Sequence, residues 1–271
     1  MSLSIEQGAG SRESGAGNKG HGVEGIGRRA EGREQGVESE EQGDGSFSKN
    51  QRILHRAIDL GVNYFDTADL YDQGENEIMF GKALRSKRQE IYLATKVGNQ
   101  ARADGSGWDW NPSKKYILSA VEGSLRRLQT DYIDLYQLHG GTIEDPIDET
   151  IEAFETLKEQ GKIRAYGISS IRPNVITEYI NRSNMVSVMM QYSLLDRRPE
   201  ESCLPLLEEH QIGVMVRGAV AKGLLAGKPA KSYLGYVQED VEKMSKAVSR
   251  DTLPAGRQEV RGPMDEGRGS R

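Results

Sequence analysis

Strand-like and helix-like runs alternate between residues 51 and 220 of this 271-residue chain. Runs rich in β-branched and apolar residues, which predict strands, lie at residues 62–66, 91–96, 133–139, 165–170, 187–192 and 213–220. Patterns with helical spacing span residues 51–60, 75–85, 112–129, 147–160, 173–181 and 201–210. This alternation predicts a parallel sheet covered by helices, in the α/β class.

Each predicted strand carries a polar residue near its carboxyl end. In chain order these residues are Asp66, Lys96, His139, Ser169, Gln191 and Arg217. An open doubly wound sheet also fits the alternation, but it binds its ligand at one switch point and needs no polar residue on every strand. A (β/α)₈ barrel of the TIM type gathers all the carboxyl ends around one mouth, where such enzymes place their chemistry. We therefore predict a barrel that occupies residues 50–250.

Local signals refine this prediction. Ser48 begins a capping box for the first helix, and Asn111 is the predicted cap of the helix that begins at Pro112. Trp108 and Trp110 fall in a stretch that we predict to be a polar loop.

The two ends differ in composition from the middle of the chain. Twelve of the first fifty residues are glycine, interleaved with charged and polar residues, so residues 1–49 are predicted to be disordered. Residues 15–20 and 20–25 both match G-x-G-x-x-G, but neither follows a strand or opens a helix, as a dinucleotide fingerprint requires. Residues 251–271 are predicted to be a loop-like tail.

Composition excludes several classes of protein. The net charge of −5 gives no indication of binding to nucleic acid or a membrane surface. No apolar run approaches the roughly 20 residues that a membrane span needs, and the N-terminus lacks the apolar core of a signal peptide. The single cysteine, Cys203, is predicted to be a small buried residue and fits a reducing cytoplasm.

Three motifs in order carry a family resemblance. They are FDTADLY at residues 65–71, ATKVG at residues 94–98 and LHG at residues 138–140. With these motifs the chain, from about residue 50 to about residue 228, resembles the aldo-keto reductases, which are (β/α)₈ barrels that reduce aldehydes or ketones with NADPH. The resemblance implies a small carbonyl substrate and four catalytic residues: Asp66, Tyr71, Lys96 and His139.

The resemblance also implies a role for each of these four residues. A carbonyl that accepts hydride becomes an alkoxide and needs a proton donor, and Tyr71 is the candidate acid. Lys96 is expected to lower the pKa of Tyr71, which is near 10 for a free phenol. Asp66 is expected to keep Lys96 charged and in place, and His139 to donate to or orient the carbonyl oxygen.

Further residues resemble the cofactor site of the same family. Ser169 and Ser170 lie in a Gly-Ile-Ser-Ser stretch similar to the family's G-[IV]-S-N, and Gln191 matches the glutamine that holds the same carboxamide. Arg217 stands where many members stack an aromatic ring on the nicotinamide, and a guanidinium can also stack. The remaining predicted contacts, which resemble the pyrophosphate loop, are Gly218, Val220, Lys222 and Lys228. The predicted cofactor is NADP, with NAD as a possibility.

Other interpretations remain open from sequence. Taken singly, each of the four catalytic candidates is as readily a structural residue. A metal-dependent hydrolase or isomerase would need more than Asp66 and His139 as ligands. A non-enzymatic, cofactor-binding regulatory relative, similar to the β-subunits of potassium channels, would also retain the motifs, as would an inactive truncated reductase. The carbonyl substrate and the oligomeric state are not predicted.

The first and eighth strands of the barrel cannot be recognised, so the predicted barrel is incomplete. The strands at residues 62–66 and 213–220 would then each present an unpaired edge rich in apolar residues. Such edges favour association with other chains, and we expect a marginally stable or aggregating chain with low or no reductase activity.

Overall fold

The computed structural model describes residues 45–227, 233 and 235–247. Its elements are, in order, α1 (Gly45–Asp59), β1 (Tyr64–Asp66), α2 (Glu75–Leu84), β2 (Tyr92–Val97), β3 (Asn99–Ala101), β4 (Trp108–Trp110), α3 (Lys114–Leu128), β5 (Ile133–Leu138), α4 (Ile147–Glu159), β6 (Ile163–Ser169), α5 (Pro173–Arg182), β7 (Ser187–Gln191), α6 (Cys203–Glu209), β8 (Gly213–Arg217) and α7 (Gln238–Ala247). Short 3₁₀ turns occupy Tyr71–Gly74, Arg85–Glu90, Arg198–Glu201 and Ala221–Ala226.

Six strands form one parallel sheet in the order β1-β2-β5-β6-β7-β8. This sheet confirms the six predicted strands, and their parallel pairing brings all six carboxyl ends to one edge. Within the part of the chain that the structure describes, β1 and β8 are the two ends of the sheet. Val214 and Val216 on β8 are 37% and 44% exposed. Association with other chains through this edge stays a prediction.

The hydrophobic core lies between the sheet and its helices. Tyr136 on β5, Phe154 on α4 and Tyr166 on β6 form its aromatic centre, and the last two rings stack with centroids 5.2 Å apart. Cys203 is buried in the same core, as predicted. Helices α1 to α6 bury apolar residues in this core, whereas Val241 of α7 belongs to a second cluster with Ala221, Leu224 and Tyr233.

Two local predictions are wrong. Trp108 and Trp110 do not lie in an irregular loop: they form β4, which pairs antiparallel with β3 in a hairpin. Ser113, and not Asn111, caps α3, because its hydroxyl accepts a hydrogen bond from the Tyr116 amide at 3.3 Å. Asn111 instead accepts from the Ser113 amide, which makes a turn before the helix.

Helix α1 also begins earlier than predicted. It starts at Gly45, so the prediction that residues 45–49 are disordered is wrong, and Ser48 lies within the helix. The helix predicted at residues 201–210 is divided into a 3₁₀ turn and α6. The strand predicted at residues 213–220 ends at Arg217, because the next residue, Gly218, has a φ of 71°, which is outside the range of a β-strand.

Several predictions lie outside the described residues. They are the disorder of residues 1–44, the role of Lys228 and the loop-like tail at residues 251–271. In the described ranges, no helix is long and apolar enough to cross a membrane. The same residues contain no group of three or more His, Cys, Asp or Glu side chains suited to hold a metal ion.

Candidate active site

The centre of the site is a buried ion pair between neighbouring strands. Asp66 ends β1 and pairs in register with Ala94 of β2, and Lys96 follows Ala94 on the same face of its strand. The Lys96 ammonium donates to the Asp66 carboxylate and, at 2.8 Å, to the carbonyl oxygen of Thr67. The side chains of Lys96 and Asp66 are only 1% and 5% exposed, so the pair is shielded from water.

Gln137 completes this pair and was not among the predicted site residues. Its Nε2 donates to the second Asp66 oxygen at 3.1 Å, and Gln137 is the residue of β5 that pairs with Lys96 of β2 in the sheet register. Gln137 is fully buried on β5. A signal for it existed in the sequence, because it is an amide within an apolar strand, two residues before His139 and therefore on the same face.

Tyr71 and His139 lie above the ion pair. Their rings meet edge to face with centroids 5.8 Å apart, and Lys96 Nζ is 5.3 Å from the centroid of the Tyr71 ring. His139 directly follows β5, and its amide donates to the carbonyl of Val97 at 2.8 Å. All four predicted catalytic residues are thus brought together at the carboxyl edge of the sheet.

The chain after β1 is tied to β2 before it reaches Tyr71. The Thr67 amide donates to the backbone carbonyl of Ala94 at 3.0 Å, and the Asp69 amide donates to the backbone carbonyl of Lys96 at 3.3 Å. The three residues after Tyr71 then all have positive φ, from 48° to 95°, which reverses the chain into α2. Two of these three are not glycine, so the turn that presents Tyr71 is a strained backbone, typical of functional loops.

The pKa of Tyr71 is raised, not lowered as predicted. Burial is the largest cause, and the negative charge of Asp66 adds to it, whereas Arg217 acts in the opposite direction. The prediction is wrong because it considered the Lys96 charge and omitted the loss of solvation, which disfavours phenolate. Tyr71 is therefore a neutral phenol that carries its proton at neutral pH.

The other three groups are also governed by burial. Burial lowers the pKa of Lys96, and the charge and hydrogen bond of Asp66 oppose this shift. Burial likewise raises the pKa of Asp66, against the charge of Lys96. Burial, followed by the charges of Lys96 and Arg217, lowers the pKa of His139 to about 4. His139 is therefore neutral at pH 7 and can donate one hydrogen bond.

The residues predicted to hold the cofactor lie on the next three strands. Ser169, Gln191 and Arg217 end β6, β7 and β8, and Arg217 Nη1 donates to the Gln191 amide oxygen at 3.1 Å. Gly218 follows with its Cα against the Gln191 side chain, where a Cβ would come within 3.3 Å. Hydroxyl, amide and guanidinium groups on adjacent strands supply the donors and acceptors that a carboxamide needs, so these residues fit a nicotinamide.

The other predicted cofactor residues differ in exposure. Ser170 is buried; its amide donates to the Met189 carbonyl, and its hydroxyl accepts from the Arg172 amide. Its hydroxyl is therefore already engaged within the protein. Val220 is 57% exposed, and Lys222 is exposed with a φ of 55° in the turn after β8. The last two residues are accessible to a ligand at the mouth.

Asp69 is a buried carboxyl that sequence reasoning did not single out. Its Oδ1 is buried and has no hydrogen-bond partner among the residues that the structure describes, and burial together with the nearby Glu77 raises its pKa to about 7. An isolated aspartate titrates near 3.8, so the folded state keeps a proton that the unfolded chain loses between about pH 4 and pH 7. Stability therefore falls as pH rises through this window and is level above it.

We expect Asp69→Asn to remove this dependence. The unfolding free energy of the parent should fall between about pH 5 and about pH 8, and Asp69→Asn should not share this fall. The difference between variant and parent should therefore shift by roughly 1–3 kcal/mol in favour of the variant, a range that allows for solvent screening. Urea unfolding of both proteins at the two pH values measures the effect. Glu144→Gln, on an exposed loop, is the control. Parallel pH dependences for the parent and Asp69→Asn would contradict the assignment.

Comparisons with known proteins agree with this geometry. Residues 36–258 match the model of the Aldo/keto reductase family. The protein named Uncharacterized oxidoreductase YqkF of Bacillus subtilis is 60% identical over 210 residues, which are 74% of this chain and 68% of that protein. The NADH-specific methylglyoxal reductase of Escherichia coli is 34% identical over 186 residues, 64% of this chain and 57% of that protein. The chain spans between about half and about two thirds of its curated relatives.

Solved structures give the same result. Aldo-keto reductase AKR11C1 from Bacillus halodurans, in its holo form, has a TM-score of 0.71 and 60% identity, and the match covers 78% of this chain and 70% of that one. An aldo/keto reductase from Klebsiella pneumoniae, in complex with NADP and acetate, has a TM-score of 0.59 and 29% identity, with 77% and 69% covered. The fold, the motifs and all three comparisons agree that the chain belongs to the aldo/keto reductase family, whose members are NAD(P)H-dependent oxidoreductases.

Proposed function

We propose that this chain reduces an aldehyde or ketone to an alcohol with NADP(H), and that Tyr71 is the proton donor. The observation that carries the proposal is the buried Asp66–Lys96 pair beside Tyr71 and His139. The nicotinamide would supply hydride to the carbonyl carbon. The protein must then supply a proton to the carbonyl oxygen and a polar environment for the developing charge.

The ionisation states of the site suit this direction of reaction. The Tyr71 phenol holds its proton at neutral pH because burial raises its pKa, so it can donate to an alkoxide that forms beside it. Lys96 lies near the ring and stabilises the phenolate that remains after transfer. Neutral His139 has one ring N–H, which can donate to the same carbonyl oxygen. Asp66, held by Gln137, keeps Lys96 in position.

We propose that Ser169, Ser170, Gln191, Arg217 and Gly218 hold the nicotinamide end, and that Val220 and Lys222 lie toward the phosphates. Support comes from the polar ends of β6, β7 and β8 and from a structural neighbour solved in complex with NADP. One relative is named as specific for NADH, so NAD remains a candidate beside NADP.

The test is turnover and binding on the same purified chain. The chain is mixed with NADPH or NADH and with methylglyoxal or a generic aldehyde, and the absorbance of the reduced nicotinamide is followed. Cofactor binding is measured separately by quenching of protein fluorescence. We expect binding and carbonyl-dependent oxidation of at least one cofactor. Binding without turnover of any tested carbonyl would favour a regulatory relative, and neither binding nor turnover would reject the proposal.

A further inference from the structure

Glu77 is a fully buried carboxylate that lies outside the group of catalytic residues. It belongs to the first turn of α2, and its Oε1 accepts a hydrogen bond from the Thr95 hydroxyl at 2.6 Å. Thr95 precedes Lys96 on β2, and its side chain points to the opposite face of that strand. Glu77 therefore holds the catalytic strand from the helix side of the sheet.

The second oxygen of Glu77 binds Arg127 of α3. Arg127 Nε and Nη2 lie 2.7 and 2.6 Å from Glu77 Oε2, which is a charge-assisted contact. The aliphatic part of Arg127 lies against Gly74, where a Cβ would come within 2.9 Å of Arg127 Cδ. Gly74 ends the turn that begins at Tyr71. The ion pair thus contacts both the strand that carries Lys96 and the turn that carries Tyr71.

The neighbouring residue of α2 makes a parallel contact to β1. Asn76 Oδ1 accepts from the Thr67 hydroxyl at 2.7 Å, and the Thr67 carbonyl accepts from Lys96 Nζ at 2.8 Å. The consecutive residues Asn76 and Glu77 therefore bind Thr67, which follows Asp66, and Thr95, which precedes Lys96. A buried carboxylate is unfavourable unless it is paired, and this one is placed where three segments of the site meet.

We propose that Glu77 is a positioning residue, which sets the separation between the Tyr71 phenol and the Lys96 ammonium through Thr95 and Arg127. The proposal rests on the proposed function, because positioning is relevant to the reaction only if Tyr71 donates the proton. The arrangement has a chemical consequence. If β2 moves relative to the Tyr71 turn, Lys96 moves away from the ring, and the phenolate that forms after proton transfer loses the stabilisation of this nearby cation.

Thr95→Val tests this inference with the smallest change. It removes the hydroxyl that donates a hydrogen bond to Glu77, and it leaves both members of the Glu77–Arg127 pair unchanged. We expect kcat to fall by roughly 10–100-fold, the scale associated with about 1 Å of misplacement, while the KM for the cofactor changes by less than about threefold. Glu77→Gln should have the same effect or a larger one. Thr150→Val is the matched control, because Thr150 is equally buried and its hydroxyl, on α4, donates to the carbonyl of Pro112, just before α3.

A second readout does not depend on turnover. With 3-fluorotyrosine at position 71, ¹⁹F NMR follows ionisation of the phenol in the parent, in Thr95→Val and in Thr150→Val. The charged groups around this ring are Asp66, Lys96 and Arg217, with neutral His139 at its edge. We expect the pH midpoint of phenol ionisation to rise by at least about half a pH unit in Thr95→Val, since a more distant cation stabilises phenolate less. In Thr150→Val the midpoint should equal that of the parent.

The two readouts separate the two proposals. If the parent reduces no carbonyl but the midpoint rises in Thr95→Val alone, the proposed function fails and the positioning role of Glu77 stands. If the parent is active and Thr95→Val has an unchanged kcat and midpoint, the positioning inference is overturned. An equal shift in Thr95→Val and Thr150→Val also overturns it, because the cause would be a general loss of stability.

Discussion

Tyr71→Phe should reduce carbonyl reduction by about 10²–10⁴-fold, the usual contribution of general acid catalysis. The Tyr71 ring centroid lies 5.3 Å from the Lys96 ammonium, and burial raises the pKa of the phenol, so it holds the proton that the alkoxide requires. Phenylalanine keeps the ring and its edge-to-face contact with His139. Cofactor affinity should therefore remain within about threefold of the parent, or roughly 0.7 kcal/mol.

Steady-state turnover and fluorescence titration of the cofactor measure these two quantities in the same preparations. Tyr92→Phe is the matched control, because Tyr92 lies on β2 with 56% of its surface exposed and should show no change in either. If Tyr71→Phe retains turnover within a few-fold of the parent, another group donates the proton, and the assignment of Tyr71 has to be withdrawn.

Lys96→Met should lower the unfolding free energy by about 3–5 kcal/mol, because it leaves the Asp66 carboxylate buried without its cation. Asp66 would still accept from Gln137, but one amide hydrogen bond does not replace an ammonium. The loss should be full at alkaline pH and should shrink as pH falls, because Asp66 then takes up a proton in the folded state. Urea unfolding at several pH values measures it.

The double variant Asp66→Asn/Lys96→Met separates an unpaired charge from a loss of packing. Replacing both members of a buried ion pair by neutral groups is often close to neutral for stability, and the amide oxygen introduced by Asp66→Asn can still accept from Gln137. We expect the double variant to recover at least about half of the stability lost in Lys96→Met, and to lose the additional dependence on pH that Lys96→Met introduces through Asp66. A double variant as unstable as Lys96→Met would mean that packing of the lysine chain, and not its charge, maintains this part of the fold.

The sequence by itself determined the six parallel strands and the four residues that meet at the candidate active site. Each strand is a local apolar run, and each catalytic candidate except Tyr71 ends its run, so parallel pairing alone brings Asp66, Lys96 and His139 to one edge. Tyr71 follows Asp66 within one loop and needs no long-range information. The order of motifs then indicated the family before any distance was known.

Only the tertiary structure decided how these groups behave. The pKa of Tyr71 is raised because burial, which no local pattern encodes, and the charge of Asp66 outweigh the charge of Arg217. Gln137 binds Asp66 across 71 residues of chain, and Arg127 binds Glu77 across 50, so both contacts depend on how the strands and helices pack. Trp108 and Trp110 form a strand because their backbone groups pair with β3, although the residues between the two strands are typical of a loop. Sequence therefore set which residues meet, and packing set their charge and their partners.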